Sequence, residues 1–270
     1  MPRAGSTYDE LRQQGRLWTP ETDPRPPLHW LDYQTDALTM SGSAITQVTP
    51  TRGRNRNTWA AKAGGTNPTL TTRNGFRAAR FDGTHEMTHI ATSSSGFQDC
   101  TLMFAGYMIS GGSNEDIVMG FGNANANGGG GRWMYRLPNG GTMGFACWGF
   151  DLGSSGTTWD IAGLRPHVFA ARKSARNVLF DTDGSLAFST GTFGGDPANV
   201  ASAIASIGGI NGSGGSNAYG TNIDVFEALW WDVALTDVEY QRAQAYLCWK
   251  YGLPIVGSSP FRHRPPVIGW

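Results

Sequence analysis

Short runs in which hydrophobic and polar residues alternate recur along most of this chain, separated by clusters of Gly, Asn, Ser and Asp. A period of two residues is typical of β-strands, and the residues between the runs are typical of turns. The runs that predict strands are residues 44–48, 78–81, 87–91, 100–109, 116–121, 133–137, 144–148, 167–172, 177–180, 186–189, 206–210 and 223–231. This pattern predicts an all-β fold.

Two of these runs are apolar on both alternating sides. In residues 100–109 the two sets are Leu102, Phe104 and Met108 on one side and Met103, Tyr107 and Ile109 on the other. This indicates a strand that is covered on both faces. Residues 223–231 have the same character except at Asp224 and Glu227, which we expect on opposite faces because they lie three positions apart in an extended strand.

One helix is predicted after the last strand. Thr236 followed by Glu239 forms a capping box, and Leu235 and Tyr240 are placed to form the hydrophobic staple. Gly252 is placed to end the helix. The apolar stripe that should pack on the sheet is assigned to Val238, Tyr246, Leu247 and Tyr251.

Composition supports the all-β prediction and excludes several function classes. The chain has 38 glycines, which suit tight turns between short strands better than helices. Only 16% of residues are charged, and 21 basic residues balance 21 acidic ones. Nucleic-acid binding needs a basic face, and attraction to an anionic membrane needs excess positive charge, so we expect neither partner. No cofactor motif is present, and we expect no cofactor.

The two ends of the chain differ from its body. Residues 1–27 mix both charge signs with four prolines between residues 20 and 27, which predicts an N-terminal arm. Residues 28–253 form the predicted β-domain, and residues 254–270 form a proline-rich tail. No apolar stretch resembles a signal peptide or a membrane span, so synthesis in a cytoplasm is expected.

Three blocks of sequence resemble concanavalin A-like, laminin-G-type jelly-roll domains of bacteriophage and bacterial proteins. The residues that carry the resemblance are Trp30-Leu31-Asp32, Ala37-Leu38-Thr39, Pro68-Thr69-Leu70, Arg80-Phe81-Asp82-Gly83, Phe226-Glu227-Ala228, Leu235-Thr236 and Lys250-Tyr251-Gly252-Leu253. Residues 47–50 depart from the family, which often has Trp and Asp there. The resemblance implies a two-sheet jelly-roll sandwich with one short C-terminal helix. Relatives include lectins, glycosidases, lyases and structural modules, so the fold alone does not decide function.

The segment His85-Glu86-Met87-Thr88-His89 matches the H-E-x-x-H pattern of zinc proteases. That chemistry requires a helix, because two histidines four apart share one zinc ion only when they lie one turn apart. Here the segment follows a strand and a turn, and residues four apart in a strand are separated by about 13 Å. We therefore predict a strand with polar residues on its solvent face and no metal site.

Carboxylate groupings give no catalytic set. Asp181-Thr182-Asp183-Gly184 resembles the start of a calcium loop but lacks the later acidic ligand, and a hairpin turn is favoured. Glycoside hydrolysis needs two carboxyl groups about 5–10 Å apart across a cleft. Adjacent Glu115 and Asp116 should point to opposite faces, so we assign no catalytic residue.

Several other groups have a structural interpretation beside a functional one. Trp133, Tyr135, Trp148 and Trp159 near glycine-rich loops suit a sugar platform, although core packing is favoured. Arg52, Arg54 and Arg56 suit a solvated turn or a contact with an acidic partner. Cys100, Cys147 and Cys248 are expected to be buried thiols, with an intermolecular disulfide as the alternative. The four glycines at 128–131 lack the strand, helix and lysine of a phosphate loop and predict a hairpin loop.

The hypothesis that follows from the resemblance, the two extensions and the absent catalytic set is a non-enzymatic structural protein of a phage virion. A minor capsid or decoration protein is favoured over a tail, neck or fibre component. It would be a homo-oligomer, located in the virion, which contacts other virion proteins through its arm and tail and binds host-surface glycans with the lectin-like domain. The alternatives are a carbohydrate-binding adhesion module and a polysaccharide-cleaving enzyme.

Overall fold

Antiparallel strands dominate the computed structural model, which describes residues 18–61, 66–89, 98–110, 116–122, 131–136, 143–147, 150–153, 165–183, 191–192, 204–209 and 220–255. In chain order the strands are β1 His29–Asp32, β2 Ala37–Ser41, β3 Ala44–Thr49, β4 Trp59–Ala61, β5 Thr69–Arg73, β6 Phe76–Asp82, β7 Met87–His89, β8 Cys100–Ser110, β9 Asp116–Phe121, β10 Arg132–Arg136, β11 Met143–Cys147, β12 Phe150–Gly153, β13 His167–Ser174, β14 Asn177–Thr182, β15 Gly191–Thr192, β16 Ala205–Ile207 and β17 Asn222–Trp231. A 3-10 helix spans Pro20–Thr22, and an α-helix, α1, spans Asp237–Lys250. The predicted strand at residues 186–189 lies outside the described residues.

The strands form one continuous hydrogen-bonded sheet that curls back on itself. From one end the order runs β15, β14, β13, β8, β17, β6, β5, β3, β4, β7, β16, β9, β10, β11 and β12, and β1 pairs with β17. Strand β2 pairs with β3. The mostly β character and the single α-helix of the described residues agree with the sequence prediction.

The inside of the curl holds the larger hydrophobic core. Phe104 and Phe169 from β8 and β13 belong to the same cluster as Phe121 and Phe145 from β9 and β11. Two contacts join the facing ends of the sheet. The Trp230 indole Nε1 donates to the Gly120 carbonyl at 3.1 Å, and the rings of Phe145 and Phe180 lie 6.2 Å apart.

A second core lies between the outer face of the sheet and α1. Met103, Ala105 and Tyr107 of β8 pack there with Tyr246 and Leu247 of the helix. The opposite side of β8 faces the interior of the curl through Leu102, Phe104 and Met108. The prediction of a strand covered on both faces is confirmed.

Helix α1 begins and ends where its local signals place it. The Thr236 hydroxyl accepts a hydrogen bond from the Glu239 backbone N–H at 3.4 Å, and the Glu239 carboxylate accepts one from the Thr236 N–H at 2.8 Å. Gly252 adopts a φ of 65°, the left-handed conformation that favours glycine after a helix. The predicted stripe is wrong at Val238, which is 56% exposed, because it lies in the first turn and points away from the sheet.

The described part of the predicted arm packs against the domain. Trp18 is buried in the outer core, and the Arg242 guanidinium lies 5.4 Å from its ring. The Trp231 indole donates to the Arg25 carbonyl at 3.0 Å, and Arg25 forms an ion pair with Glu239. Residues 18–27 therefore contribute to the packing around α1. No helix in the described ranges has the length and apolar character needed to cross a membrane.

Candidate functional site

The largest group of buried charges lies between β1, β17 and α1. Asp32 and Glu227 are directly paired across β1 and β17, and both are fully buried. The Lys250 ammonium donates to Asp32 Oδ2 at 2.7 Å and to Glu227 Oε2 at 2.5 Å. Arg52 forms an ion pair with Asp32 and lies 4.2 Å from the ring of Trp30. We call Asp32, Arg52, Glu227 and Lys250 the buried charge network.

Neutral donors complete the network around Glu227. The Trp30 indole donates to Glu227 Oε1 at 2.6 Å, and the Tyr251 hydroxyl donates to Oε2 at 2.7 Å. The Tyr246 hydroxyl donates to Oε1 at 3.2 Å. Burial raises the pKa of Glu227 more than the Lys250 charge lowers it. Burial also raises the pKa of Asp32, but the charges of Lys250 and Arg52 outweigh it, so that pKa lies below its ordinary value.

Two carboxylates that share one ammonium and differ in pKa suit acid and base roles by their chemistry. A reacting carboxylate must also contact its substrate, and neither Asp32 nor Glu227 has any exposed surface. Each oxygen pair is occupied by donors from the same chain. The buried charge network therefore holds α1 against the sheet and is not the substrate site.

A β-bulge changes the faces of two acidic residues on β17. Register shifts between Val225 and Glu227, so Phe226 is an extra residue in that strand. Phe226 packs in the outer core, Glu227 bonds to Trp30 and Tyr246 there, and Asp224 pairs with Tyr107 on the same side. The prediction that Asp224 and Glu227 point to opposite faces is wrong because the bulge interrupts the alternation.

The outer face of β9 to β12 combines aromatic and small residues in register. Met134 and Phe145 pack inside the curl, so the alternate positions 133 and 135 fall on the outer face. Trp133 pairs with Gly120 on β9 and with Ala146 on β11, and Ala146 in turn pairs with Asp151 on β12. We call the face of β9 to β12 that carries positions 133 and 135 the outer platform.

The second row of the outer platform has a small residue on one side only, because the register of β9 shifts between the two rows. Tyr135 pairs with Ile117 on β9 and with Gly144 on β11. Gly144 in turn pairs with Gly153 on β12. Small residues beside an aromatic position leave room for a flat ligand along the sheet. Trp148 and Trp159, the other two aromatics considered from the sequence, lie outside the described residues, as does Glu115.

The H-E-x-x-H segment forms no metal site in the structure. Met87–His89 is strand β7, which confirms the strand prediction. The predicted solvent face is wrong, because His85, Glu86 and His89 are all buried. Burial lowers the pKa of His89 to about 4, and its Nε2 lies 3.1 Å from Asn55 Oδ1. Within the described ranges, no three His, Cys, Asp or Glu side chains are grouped so that they could hold a metal ion.

Asp181 and Asp183 point to different partners rather than to a shared calcium ion. Asp183 has a φ of 53°, as a turn residue does, and its carboxylate lies 2.7 Å from His167 Nδ1. Asp181 is fully buried near Gln244 of α1, and burial raises its pKa to about 7. The turn prediction is consistent with the described part of this segment, which ends at Asp183.

The basic cluster and the cysteines also have defined surroundings. Arg52, Arg54 and Arg56 form ion pairs with Asp32, Asp232 and Glu21; Arg54 and Arg56 are exposed, as a solvated turn predicts, whereas Arg52 reaches into the buried charge network. Their acidic partners belong to the same chain. Cys100, Cys147 and Cys248 are buried free thiols, as predicted.

Comparisons with known proteins show the fold. No family model matches the chain, and no curated protein does. A GH54 α-L-arabinofuranosidase soaked with 4-nitrophenyl α-L-arabinofuranoside is 14% identical with a TM-score of 0.57, over 86% of this chain and 60% of that one. An arabinofuranosidase complexed with arabinofuranosyl-α-1,2-xylobiose is also 14% identical with a TM-score of 0.57, over 93% of this chain and 66% of that one. A Trypanosoma rangeli sialidase in complex with the inhibitor DANA is 11% identical with a TM-score of 0.53, over 83% of this chain and 33% of that one.

These comparisons correct the favoured functional hypothesis. The chain spans about 60% of the GH54 arabinofuranosidase and one third of the sialidase. These three solved structures are glycosidases with bound substrates or inhibitors, and none of them links the chain to a phage. The predictions of a non-enzymatic protein and of a structural virion component are therefore contradicted, and the carbohydrate-directed alternatives are better supported.

Proposed function

We propose that this chain is a carbohydrate-processing enzyme that holds a glycan along the outer platform. The observation that carries the proposal is the register of β9 to β12, which places Trp133 and Tyr135 in adjacent rows of one face, with Gly120 and Ala146 beside Trp133 and Gly144 beside Tyr135. Pyranose rings pack on Trp and Tyr faces because one side of the sugar is apolar. The likeness of the fold to glycosidases supports the same class of ligand.

The proposed function also includes a division of the curled sheet into two packed layers. The two ends of the curled sheet face each other across the core that contains Phe145 and Phe180. A two-layer jelly roll of the concanavalin A-like type accounts for this arrangement. The outer platform would then be the open face of one layer, while α1 covers the outer face of the other.

Replacing Trp133 by alanine is expected to weaken glycan binding about fivefold or more, because stacking of a ring on an aromatic face contributes about 1 kcal/mol or more. Binding to a panel of neutral polysaccharides that includes arabinoxylan would be measured by affinity electrophoresis and calorimetry. Trp249→Ala on α1 is the matched control, since it removes a tryptophan elsewhere on the chain. Unchanged binding by Trp133→Ala would contradict the proposal.

Cleavage of the bound glycan is expected to depend on Asp151, the acidic residue whose strand position pairs into the same row as Trp133. Asp151→Asn should lower the release of reducing ends about 100-fold, because general acid or base catalysis contributes at least that factor. The variant should still bind the glycan, since the aromatic positions are unchanged. Full activity of Asp151→Asn would exclude this residue from the reaction.

A further inference from the structure

A pair of arginines surrounds a buried carboxylate on the face of the sheet that α1 partly covers. Asp224 on β17 is fully buried and lies in one row with Arg80 on β6 and Tyr107 on β8. Arg80 Nε donates to Asp224 Oδ1 at 2.8 Å, and one of its terminal nitrogens donates to Oδ2 at 2.7 Å. Arg73 Nε on β5 also donates to Oδ2, at 2.7 Å. Asp224 therefore fixes the orientation of both guanidinium groups.

Much of the donor capacity of this pair is directed outward. A guanidinium has five N–H donors, and Asp224 takes one from Arg73 and two from Arg80. No other residue in the described ranges accepts a hydrogen bond from either group. The side chains of Arg73 and Arg80 are 39% and 36% exposed, so the remaining N–H groups can reach a ligand.

The outward guanidinium donors and the hydroxyls nearby suit an anion. Arg73 and Arg80 surround the buried Asp224, which leaves one net positive charge on these three side chains. Asp82 lies two positions along β6 and is 51% exposed, so it offsets that charge at the surface, and the anion must be held by the directed N–H groups of the arginines. On β5, Thr69 pairs with Arg80, and Thr71 lies between Thr69 and Arg73 on the same face. Both threonines are half-buried and add neutral donors and acceptors beside the arginines.

We propose that Arg73 and Arg80, oriented by Asp224, form a second carbohydrate site that binds the carboxylate of an acidic sugar unit such as a uronic acid. A carboxylate has the planar, two-oxygen shape that guanidinium groups recognise. Threonine hydroxyls beside the pair suit the ring hydroxyls of a sugar. The choice of a saccharide rests on the proposed function, whereas the preference for a carboxylate rests on the arginine pair alone.

The test uses oligogalacturonate and its fully methyl-esterified form, which differ only in the charge of the carboxyl groups. The protein is expected to bind the charged form, with affinity that falls as salt rises, and to bind the ester at least about tenfold more weakly. Arg73→Gln should weaken binding of the charged form about tenfold, because a charge-assisted bond is lost while Arg80 still compensates Asp224. Arg80→Lys keeps the charge, loses the two-bond geometry and should also weaken binding.

Arg56→Gln is the matched control, because Arg56 is an exposed arginine of the 50–60 segment that pairs with Glu21. It should leave oligogalacturonate binding unchanged. Equal binding of both forms, or no effect of Arg73→Gln, would overturn the proposal. Tighter arginine-dependent binding of poly-L-glutamate would overturn the saccharide assignment. Trp133→Ala should retain the arginine-dependent binding, so a failure of the proposed outer platform can be distinguished from a failure of the arginine site. Loss of all oligogalacturonate binding in Trp133→Ala would show that the two sites are not separate.

Discussion

Replacing Lys250 by methionine is expected to lower the free energy of unfolding by about 3–5 kcal/mol, the range measured when one partner of a buried ion pair is removed. Lys250 compensates both Asp32 and Glu227, which are fully buried, and Arg52 contacts Asp32 but forms no ion pair with Glu227. Methionine fills a volume similar to that of lysine, so the lost free energy of unfolding measures the effect of leaving Asp32 and Glu227 without the ammonium group. Urea unfolding followed by tryptophan fluorescence and circular dichroism measures it.

Two further variants make this result specific. Adding Glu227→Gln to Lys250→Met should recover part of the loss, because the neutral amide no longer needs the ammonium. Arg56→Met removes an exposed ion pair with Glu21 and should change stability by less than about 1 kcal/mol. A loss of less than about 1 kcal/mol for Lys250→Met would show that the buried charge network does not hold α1.

Asp181→Asn is expected to stabilise the protein at pH 8 and to leave it nearly unchanged at pH 4. Burial raises the pKa of Asp181 from 3.8 to about 7, so the folded state keeps the proton that the unfolded chain has already released. The stabilising contribution of the protonated carboxyl is complete below pH 3.8 and is lost as the pH rises through 7. That difference corresponds to on the order of 4 kcal/mol at pH 8, and asparagine, which does not ionise, avoids it.

The measurement compares wild type and variant by urea unfolding at pH 4, 6 and 8. The difference in stability between wild type and variant is compared, because His89 affects both proteins equally. Burial lowers the pKa of His89 to about 4, so below pH 6.5 this residue makes the stability of both proteins fall as the pH falls, opposite to the effect of Asp181. Asp237→Asn is the control, since its carboxylate is 80% exposed on the same helix and should give a small effect. A difference between wild type and Asp181→Asn that stays constant from pH 4 to 8 would refute the assignment.

Local signals in the sequence predicted the elements that depend on local chemistry. Helix α1 begins at its capping box and ends before Gly252, because caps are made by residues three or four apart. Strand β8 was predicted almost to its ends from its two apolar sets. Strands β1, β2, β4, β5, β12 and β15 were not predicted: β1, β4, β12 and β15 have only two to four residues, and β2 and β5 contain no buried residue, so their sequences show no core-facing alternation.

The candidate sites were harder to predict, since they depend on pairing between distant segments. Trp133 and Tyr135 share a face by strand alternation, but only the register of β9 to β12 shows which residues lie beside them. The bulge at Phe226 leaves no signal in the alternation, so Asp224 and Glu227 were assigned to opposite faces. The sequence does not predict that Arg73 and Arg80 meet at one carboxylate, because Asp224 lies more than 140 positions away.

The pairing of β1 with β17 has a consequence for how the chain acquires its structure. Asp32 and Lys250 are 218 positions apart, and in the pairing of β8 with β17 Ser110 meets Asn222 and Thr101 meets Trp231, more than 100 positions along the chain. Contacts between such distant segments form slowly, because the chain must close large loops before it gains their energy. On the ribosome, β1 would wait until Asn222–Trp231 has been made before its partner strand emerges. We expect the central sheet to assemble only after β17 has emerged, and β1 to be the segment most exposed to chaperones until then.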